Sequence, residues 1–182
     1  MFWRKKSAWV VTTLLLSLMR FASANPAADS EDELKAATVW LFVQYSQLAA
    51  NPDGTINVCV LGRPSFAQTL RHTLEGKVAN GHPVRVAELK ADLHGCQVVY
   101  FAMDKGEDLK RGLQSTQPLH ALTIGESDRF LEYGGTVTLF IVDGHIGFET
   151  NVESLGRSGI AISSNLLKFG QIRNRTKGTG AK

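Results

Sequence analysis

The sequence has little of what most catalytic and metal sites need. Its 182 residues include two cysteines and five histidines, and no two histidines lie at the i, i+4 spacing of helical metal ligands. A C-x-x-C pair, a G-x-S-x-G elbow, a Walker loop and a G-x-G-x-x-G fingerprint are all missing. These absences argue against a thioredoxin-like or zinc protein. They leave no nucleophile and base to name, so we expect no catalytic residues, no metal and no cofactor.

The body of the chain also lacks the excess of positive charge that nucleic-acid binding requires. The formal net charge is +3, but Arg4, Lys5, Lys6 and Arg20 supply four positive charges near the amino terminus, so the rest carries −1. The residues after Leu167 are basic as well, which leaves an acidic body. We therefore expect no nucleic-acid partner, despite a sequence pI of about 9.0.

The first residues have the composition of an export signal. Three basic residues precede an apolar run over residues 8–18, and Ala22-Ser23-Ala24 supplies small residues at a cleavage site. The run is shorter than the ~20 residues that span a bilayer. We predict a signal peptide over residues 1–24 that is removed, with an uncleaved anchor as the alternative. One domain over 25–174 and a basic tail over 175–182 complete the prediction.

Cys59 and Cys96 are the only cysteines, and export would place them in an oxidising compartment. A structural disulfide is the favoured interpretation, because it would restrict the unfolded chain by about 4 kcal/mol. Two buried free thiols are the alternative.

Hydrophobic periodicity predicts alternating strands and helices along most of the chain. Two capping-box patterns, Ser30 to Glu33 and Ser65 to Gln68, mark expected helix starts. Such alternation is typical of a mainly parallel sheet covered on both faces. The predicted helices cover residues 30–49, 65–75, 107–114 and 163–172, with helical turns near 128–133 and 153–158, and the predicted strands cover 56–62, 83–89, 97–103 and 121–124.

The stretch GGTVTLFIVDGHIGFETN then breaks the alternation. Asp143-Gly144 predicts a type I′ turn that pairs Val142 with His145 and places Phe140 over Gly147. The pattern as a whole predicts an α/β fold, a single-domain three-layer sandwich whose mostly parallel mixed sheet ends in a C-terminal antiparallel hairpin. We expect that hairpin to form the edge of the sheet.

One turn is a candidate ligand site. Gly62-Arg63-Pro64-Ser65 joins a strand to a helix amino terminus, where backbone N–H groups favour an anion and Arg63 could assist. The alternative is structural, because every strand-to-helix unit has such a turn and Ser65 also fits a helix cap.

The order of several motifs resembles the YfiR family of small periplasmic regulators. The resemblance rests on NVCVLGRPSF, GCQVVYF and the block LTIG…GG…FETN…RSGIAISSNLL, and it covers nearly the whole exported chain. It implies a non-enzymatic α/β domain and a disulfide between Cys59 and Cys96, which match the family's cysteines. Where family members often carry Trp-Pro, this chain has Asn51-Pro52, so its partner contact could differ.

What the resemblance implies is a periplasmic repressor of an inner-membrane diguanylate cyclase. It would act on the periplasmic sensor region of the cyclase and thereby lower cyclic-di-GMP and biofilm formation. A second implied partner is an OmpA-like, peptidoglycan-binding outer-membrane lipoprotein that sequesters the repressor, and a homodimer is plausible for the family.

Binding rather than chemistry is therefore the leading hypothesis. We expect partner contacts at Phe66, Tyr133, Phe140, His145 and Arg157, each of which could equally be a partly buried packing residue. The alternative function is a periplasmic sensor or carrier that captures a small molecule near Arg63. A hydrolase with an unfamiliar site is a third, weaker alternative.

Overall fold

The computed structural model describes residues 26–88, 93–103 and 106–173. The predicted signal peptide and the basic tail lie outside these residues. The helices are α1 (Pro26–Tyr45), α2 (Pro64–Leu74), α3 (Gly106–Thr116), α4 (Val152–Ser158) and α5 (Ser164–Leu167). The strands are β1 (Ile56–Gly62), β2 (Val78–Ala79), β3 (His82–Glu88), β4 (Val98–Ala102), β5 (Leu122–Gly125), β6 (Val137–Val142), β7 (His145–Asn151) and β8 (Gln171–Arg173).

One eight-stranded sheet organises the described residues, in the order β2-β3-β1-β4-β5-β6-β7-β8. The central strands β3, β1, β4, β5 and β6 are parallel, while β2 runs antiparallel to β3 and β7 runs antiparallel to β6. The predicted α/β class and mostly parallel sheet are confirmed. All five residues of β4 are buried, as expected of a central strand covered on both faces.

Two separate hydrophobic clusters lie on the two faces of the sheet. The larger joins α1 and α2 to inward residues of the strands, and Phe66 of α2 stacks on Tyr100 of β4 at 4.2 Å between ring centroids. The smaller joins α3 to Val99 and Phe101 of the same strand. Because successive side chains of a strand point to opposite faces, one strand serves both clusters.

The β6–β7 hairpin has the predicted register. Val142 pairs with His145, and Phe140 with Gly147. Asp143 and Gly144 have φ of +51° and +74°, as a type I′ turn requires. A Cβ on Gly147 would lie 2.3 Å from the Phe140 ring, so the ring covers the backbone there.

The predicted start of α1 is wrong. The helix already runs from Pro26, so Ser30 lies in its second turn and cannot act as the N-cap. The helix also ends at Tyr45 rather than near residue 49, because Ser46 leaves it to form a bridge with Ile162.

The predicted cap of α2 is wrong as well. Arg63 occupies the N-cap position without a side-chain cap, and Pro64 opens the helix. Proline suits that place, since its missing N–H would have had no helical partner. Ser65 is therefore helical.

The end of the chain differs most from the prediction. In place of a helix over 163–172, a single turn, α5, precedes β8, which pairs with β7 in parallel. The edge of the sheet is therefore β8, and the hairpin lies one strand inside it. Phe169, between α5 and β8, is 77% exposed. None of the helices in the described ranges combines the length and hydropathy needed to cross a bilayer.

Candidate functional site

A cluster of four charged side chains closes the crevice where the sheet changes winding direction. The chain passes from β1 to β3 on one side of β1 and then crosses to β4 on the other side of β1. Ligands of open α/β sheets bind where the strand order reverses in this way. Here Arg63 Nη2 lies 3.0 Å from Asp32 Oδ1 and 3.1 Å from Glu126 Oε1. Lys35 of α1 pairs with the same Glu126. We call these four residues the switch cluster.

The backbone at this point is tightly constrained by neighbouring strands. Gly62 has φ of +107°, and a Cβ there would lie 2.4 Å from the carbonyl oxygen of Ala102 at the end of β4. A side chain at position 62 would therefore force β1 and β4 apart. The glycine fixes where Arg63 leaves the sheet.

These contacts bear directly on the predicted anion site. The guanidinium of Arg63 already faces two carboxylates, and the switch cluster has no net charge. An anion at the exposed Ser65 would have to compete with Asp32 and Glu126 for Arg63. The site at Arg63 and Ser65 stays a prediction.

The residues predicted to contact a partner do not form one surface. Phe66 is fully buried and cannot contact a partner at the surface. It is a packing residue of the core, which was the alternative interpretation. Tyr133 packs against the smaller cluster beneath the guanidinium of Arg129, 4.7 Å from the ring centroid. Phe140 and His145 share the outer face of the hairpin, and the His145 ring contacts the Asp143 carbonyl at 2.9 Å. Arg157 lies on α4, bonded to Glu153 and Ser154.

The predicted disulfide is present and lies inside the smaller cluster. Cys59 in β1 and Cys96 before β4 have Cα atoms 5.8 Å apart. A network of amides surrounds Cys96: Gln97 exchanges hydrogen bonds of 3.0 and 3.1 Å with Asn51 and accepts one of 2.8 Å from the N–H of Asn57. No sequence pattern predicted this network, which joins the loop before β1 to the loop before β4.

The described residues place no three His, Cys, Asp or Glu side chains where they could hold a metal ion. The pKa of the Asp53 carboxyl is lowered by hydrogen bonds from the hydroxyl and N–H of Thr55, helped by Arg85. Asp53 is exposed in a turn, so these bonds belong to local turn structure rather than to a catalytic site.

Two exposed apolar side chains lie at the β8 edge of the sheet. Phe169 is 77% exposed and Ile172 is 55% exposed. On α1, exposed apolar side chains recur at i, i+7 and i+11 and therefore share one side of the helix. We call this set the edge patch; its members are Leu34, Leu41, Tyr45, Phe169 and Ile172.

Contacts with β7 and with the segment before α5 place the carboxyl-terminal half of α1 next to the last elements of the chain. Phe42 of α1 meets Phe148 of β7 edge to face at 5.0 Å. Gly170 packs on the same Phe148 ring, since a Cβ there would lie 2.0 Å from it. The carbonyl of Tyr45 accepts from the N–H of Ser163 at 2.8 Å, just before α5. Phe169 and Ile172 follow α5 in the sequence, but only the structure shows that both face outward.

A family model of known proteins, described as YfiR/HmsC-like, matches residues 32–171. The chain belongs to the YfiR/HmsC-like family. Its members are periplasmic regulators of cyclic-di-GMP signalling and are not catalytic. None of the curated proteins is significantly similar to the chain in sequence.

Two solved structures share the fold of this YfiR/HmsC-like chain. One is a conserved domain protein from Vibrio cholerae, with a TM-score of 0.57 and 12% identity over 76% of this chain and 60% of that one. The other is an ABC domain in complex with L-Trp from Streptococcus pneumoniae, with a TM-score of 0.51 and 12% identity over 69% and 57% of the chains. The chain thus spans about three fifths of each neighbour's length, and at this identity the likeness concerns the fold alone.

The structure explains why two glycines and an asparagine occur in the C-terminal block that resembles the YfiR family. The ring of Phe130 fills the space that a Cβ would need at both Gly125 and Gly135. The Asn151 side chain accepts from the N–H groups of Glu153 and Ser154, each at 3.1 Å, and so caps α4 at the end of β7. These residues hold the turn before β6 and the start of α4 against the sheet.

Proposed function

We propose that this protein binds the periplasmic region of an inner-membrane diguanylate cyclase and represses it, which lowers cyclic-di-GMP and biofilm formation. Membership of the YfiR/HmsC-like family is the observation that carries this proposal. The edge patch supports it, because a regulator without a catalytic site must act through a surface.

The edge patch has the anatomy of a protein contact. Phe169 and Ile172 supply exposed apolar anchors, and β8 offers backbone groups along an edge that pairs with no strand in the described ranges. Arg173 bonds Glu149 at 2.7 Å beside these anchors and provides a polar rim. We assign the cyclase contact to this patch.

Repression requires that the protein distinguish two arrangements of the cyclase. It must bind the inactive arrangement more tightly, since a ligand with equal affinity for both shifts nothing. A hundredfold preference would shift the equilibrium by about 2.7 kcal/mol, within the usual range of allosteric coupling.

The binding proposal is tested with matched substitutions at the two edges of the sheet. Ile172→Ser and Phe169→Ser alter the β8 edge, while Val78→Ser alters β2 at the opposite edge, where Val78 is 57% exposed. We expect the first two to weaken binding to the purified periplasmic region of the cyclase at least tenfold by interferometry, and Val78→Ser to leave it unchanged. Equal affinity for all variants would contradict the assignment.

A second copy of this chain is the competing occupant of the edge patch. Sedimentation of the free protein separates the possibilities, because a homodimer through β8 would dissociate on Phe169→Ser without any cyclase present. A monomer that binds the cyclase supports the assignment made here.

The remaining predicted contacts form a proposal for the second partner. Phe140, His145 and the exposed Val142 lie on the outer face of the hairpin tip, away from the edge patch on α1. We assign the OmpA-like lipoprotein to this face, with Tyr133 and Arg157 outside it. Phe140→Ser should weaken lipoprotein binding and spare cyclase binding.

A further inference from the structure

A cavity opens between α3, β5 and α4, in a part of the molecule that neither proposed partner surface includes. Its volume is about 290 Å³. At ~30 Å³ for each liquid water, this space corresponds to about ten non-hydrogen atoms. The lining residues are Leu113, Thr116, Gln117, His120, Ala121, Thr123, Gly134, Thr136, Ser154, Arg157 and Ser158.

Two buried threonines in the wall carry two hydroxyl protons, and the hydrogen bond between them uses only one. Thr123 Oγ1 and Thr136 Oγ1 lie 3.0 Å apart, and the backbone N–H of Thr136 also donates to Thr123 Oγ1 at 2.9 Å. Only one of the two hydroxyls can donate to the other. The second proton has no acceptor within the described residues, although both side chains are at least 95% buried. A buried donor of this kind favours an acceptor oxygen in the cavity.

The charged group in the wall is positive and only partly engaged. Arg157 donates one N–H from Nη1 to Glu153 and one from Nη2 to Ser154, each at 2.8 Å. A guanidinium has five N–H donors, so three have no bond in the described part of the chain. No carboxylate is among the described residues that line the cavity, while His120, with φ of +51°, adds an imidazole.

We propose that this cavity binds a short-chain hydroxy- or oxo-carboxylate of about ten non-hydrogen atoms. A carboxylate accepts the spare hydroxyl proton of the Thr123–Thr136 pair or the free N–H groups of Arg157. Its hydroxyl or oxo group meets Gln117 and Ser158, and its short carbon chain packs on Leu113 and Ala121. Arg157 is then a ligand contact rather than the rim of a protein interface.

The test is thermal unfolding of the exported chain with four probes: L-lactate, L-malate, 2-oxoglutarate and citrate. Sodium chloride at matched ionic strength serves as the blank. At ten times its Kd, a binding probe raises Tm by about 3–6 °C for a chain of this length. Amide shifts in NMR spectra should concentrate at Thr123, Thr136 and His120.

Three variants decide whether the gain comes from this cavity. Arg157→Gln and Thr136→Val should each weaken probe binding at least tenfold, whereas Thr69→Val, which alters a threonine on α2, should not. Arg157 is half exposed, so its variant folds even if Thr136→Val does not. Failure of all four probes to raise Tm would overturn the proposal. A gain that persists in Arg157→Gln would place binding elsewhere and overturn it as well.

Discussion

Reduction of the disulfide should lower stability chiefly by freeing the unfolded chain. Cys59 lies in β1, where it pairs in register with Val99 of β4, so the two elements are held side by side without the covalent bond. Both cysteines are buried in the smaller cluster. The reduced protein should therefore keep its fold, and the loss should appear in the entropy of the unfolded state.

The magnitude follows from the sequence separation of 37 residues. Closing a loop of about 38 residues removes about 13 cal/mol/K from the unfolded ensemble, or about 4 kcal/mol at 25 °C. For a chain of this length, each kcal/mol changes Tm by about 2–4 °C. We therefore expect the reduced protein to melt roughly 8–16 °C below the oxidised one.

The assay is thermal and urea unfolding of the exported chain before and after reduction. The urea m-value should rise on reduction, because the released unfolded chain exposes more surface. The double variant Cys59→Ala, Cys96→Ala should be less stable still, since it also removes two buried sulfur atoms. A Tm within about 3 °C of the oxidised value, with an unchanged m-value, would refute the reasoning.

Three further changes test other parts of the structure. Glu126→Gln removes the carboxylate shared by the two cations of the switch cluster and should lower the free energy of unfolding by about 1–3 kcal/mol, less at high salt; urea unfolding at two salt concentrations measures both. Phe140→Ala uncovers Gly147 and should cost about 1–2 kcal/mol in the same assay, and an unchanged midpoint would contradict the ring's role. The pKa of Asp53, measured by NMR titration, should lie below its ordinary value of 3.8. In the Thr55→Val variant, which lacks the hydroxyl donor, that pKa should rise toward 3.8. Because that folded-state pKa is lowered, the stabilisation is present above the ordinary value and is lost as pH falls through the folded pKa.

Local signals predicted the parts of the fold that depend on local chemistry. Asp143-Gly144 determined the hairpin register because a two-residue type I′ turn leaves a single pairing. The apolar run of β4 indicated a central strand, because a strand covered on both faces needs apolar side chains at every position. The capping boxes failed where a proline upstream offered an earlier helix start, as Pro64 does for α2.

Features that depend on distant residues were not predictable. Arg63 meets Asp32 and Glu126, which are 31 and 63 residues away along the chain. The edge strand β8 has three residues and no alternating pattern, so only pairing with β7 defines it. From the sequence alone, Phe66 could be a surface anchor. Only the folded structure shows that its ring stacks on Tyr100 in the core.

Cellular cyclic-di-GMP tests the central claim most directly. It would be measured in a strain that lacks this protein, with and without each membrane cyclase of the same genome, and after complementation with wild type, Phe169→Ser or Val78→Ser. We predict a rise that vanishes when one cyclase is also removed, and that wild type and Val78→Ser reverse but Phe169→Ser does not. An unchanged level, under conditions where the protein is made, would contradict repression.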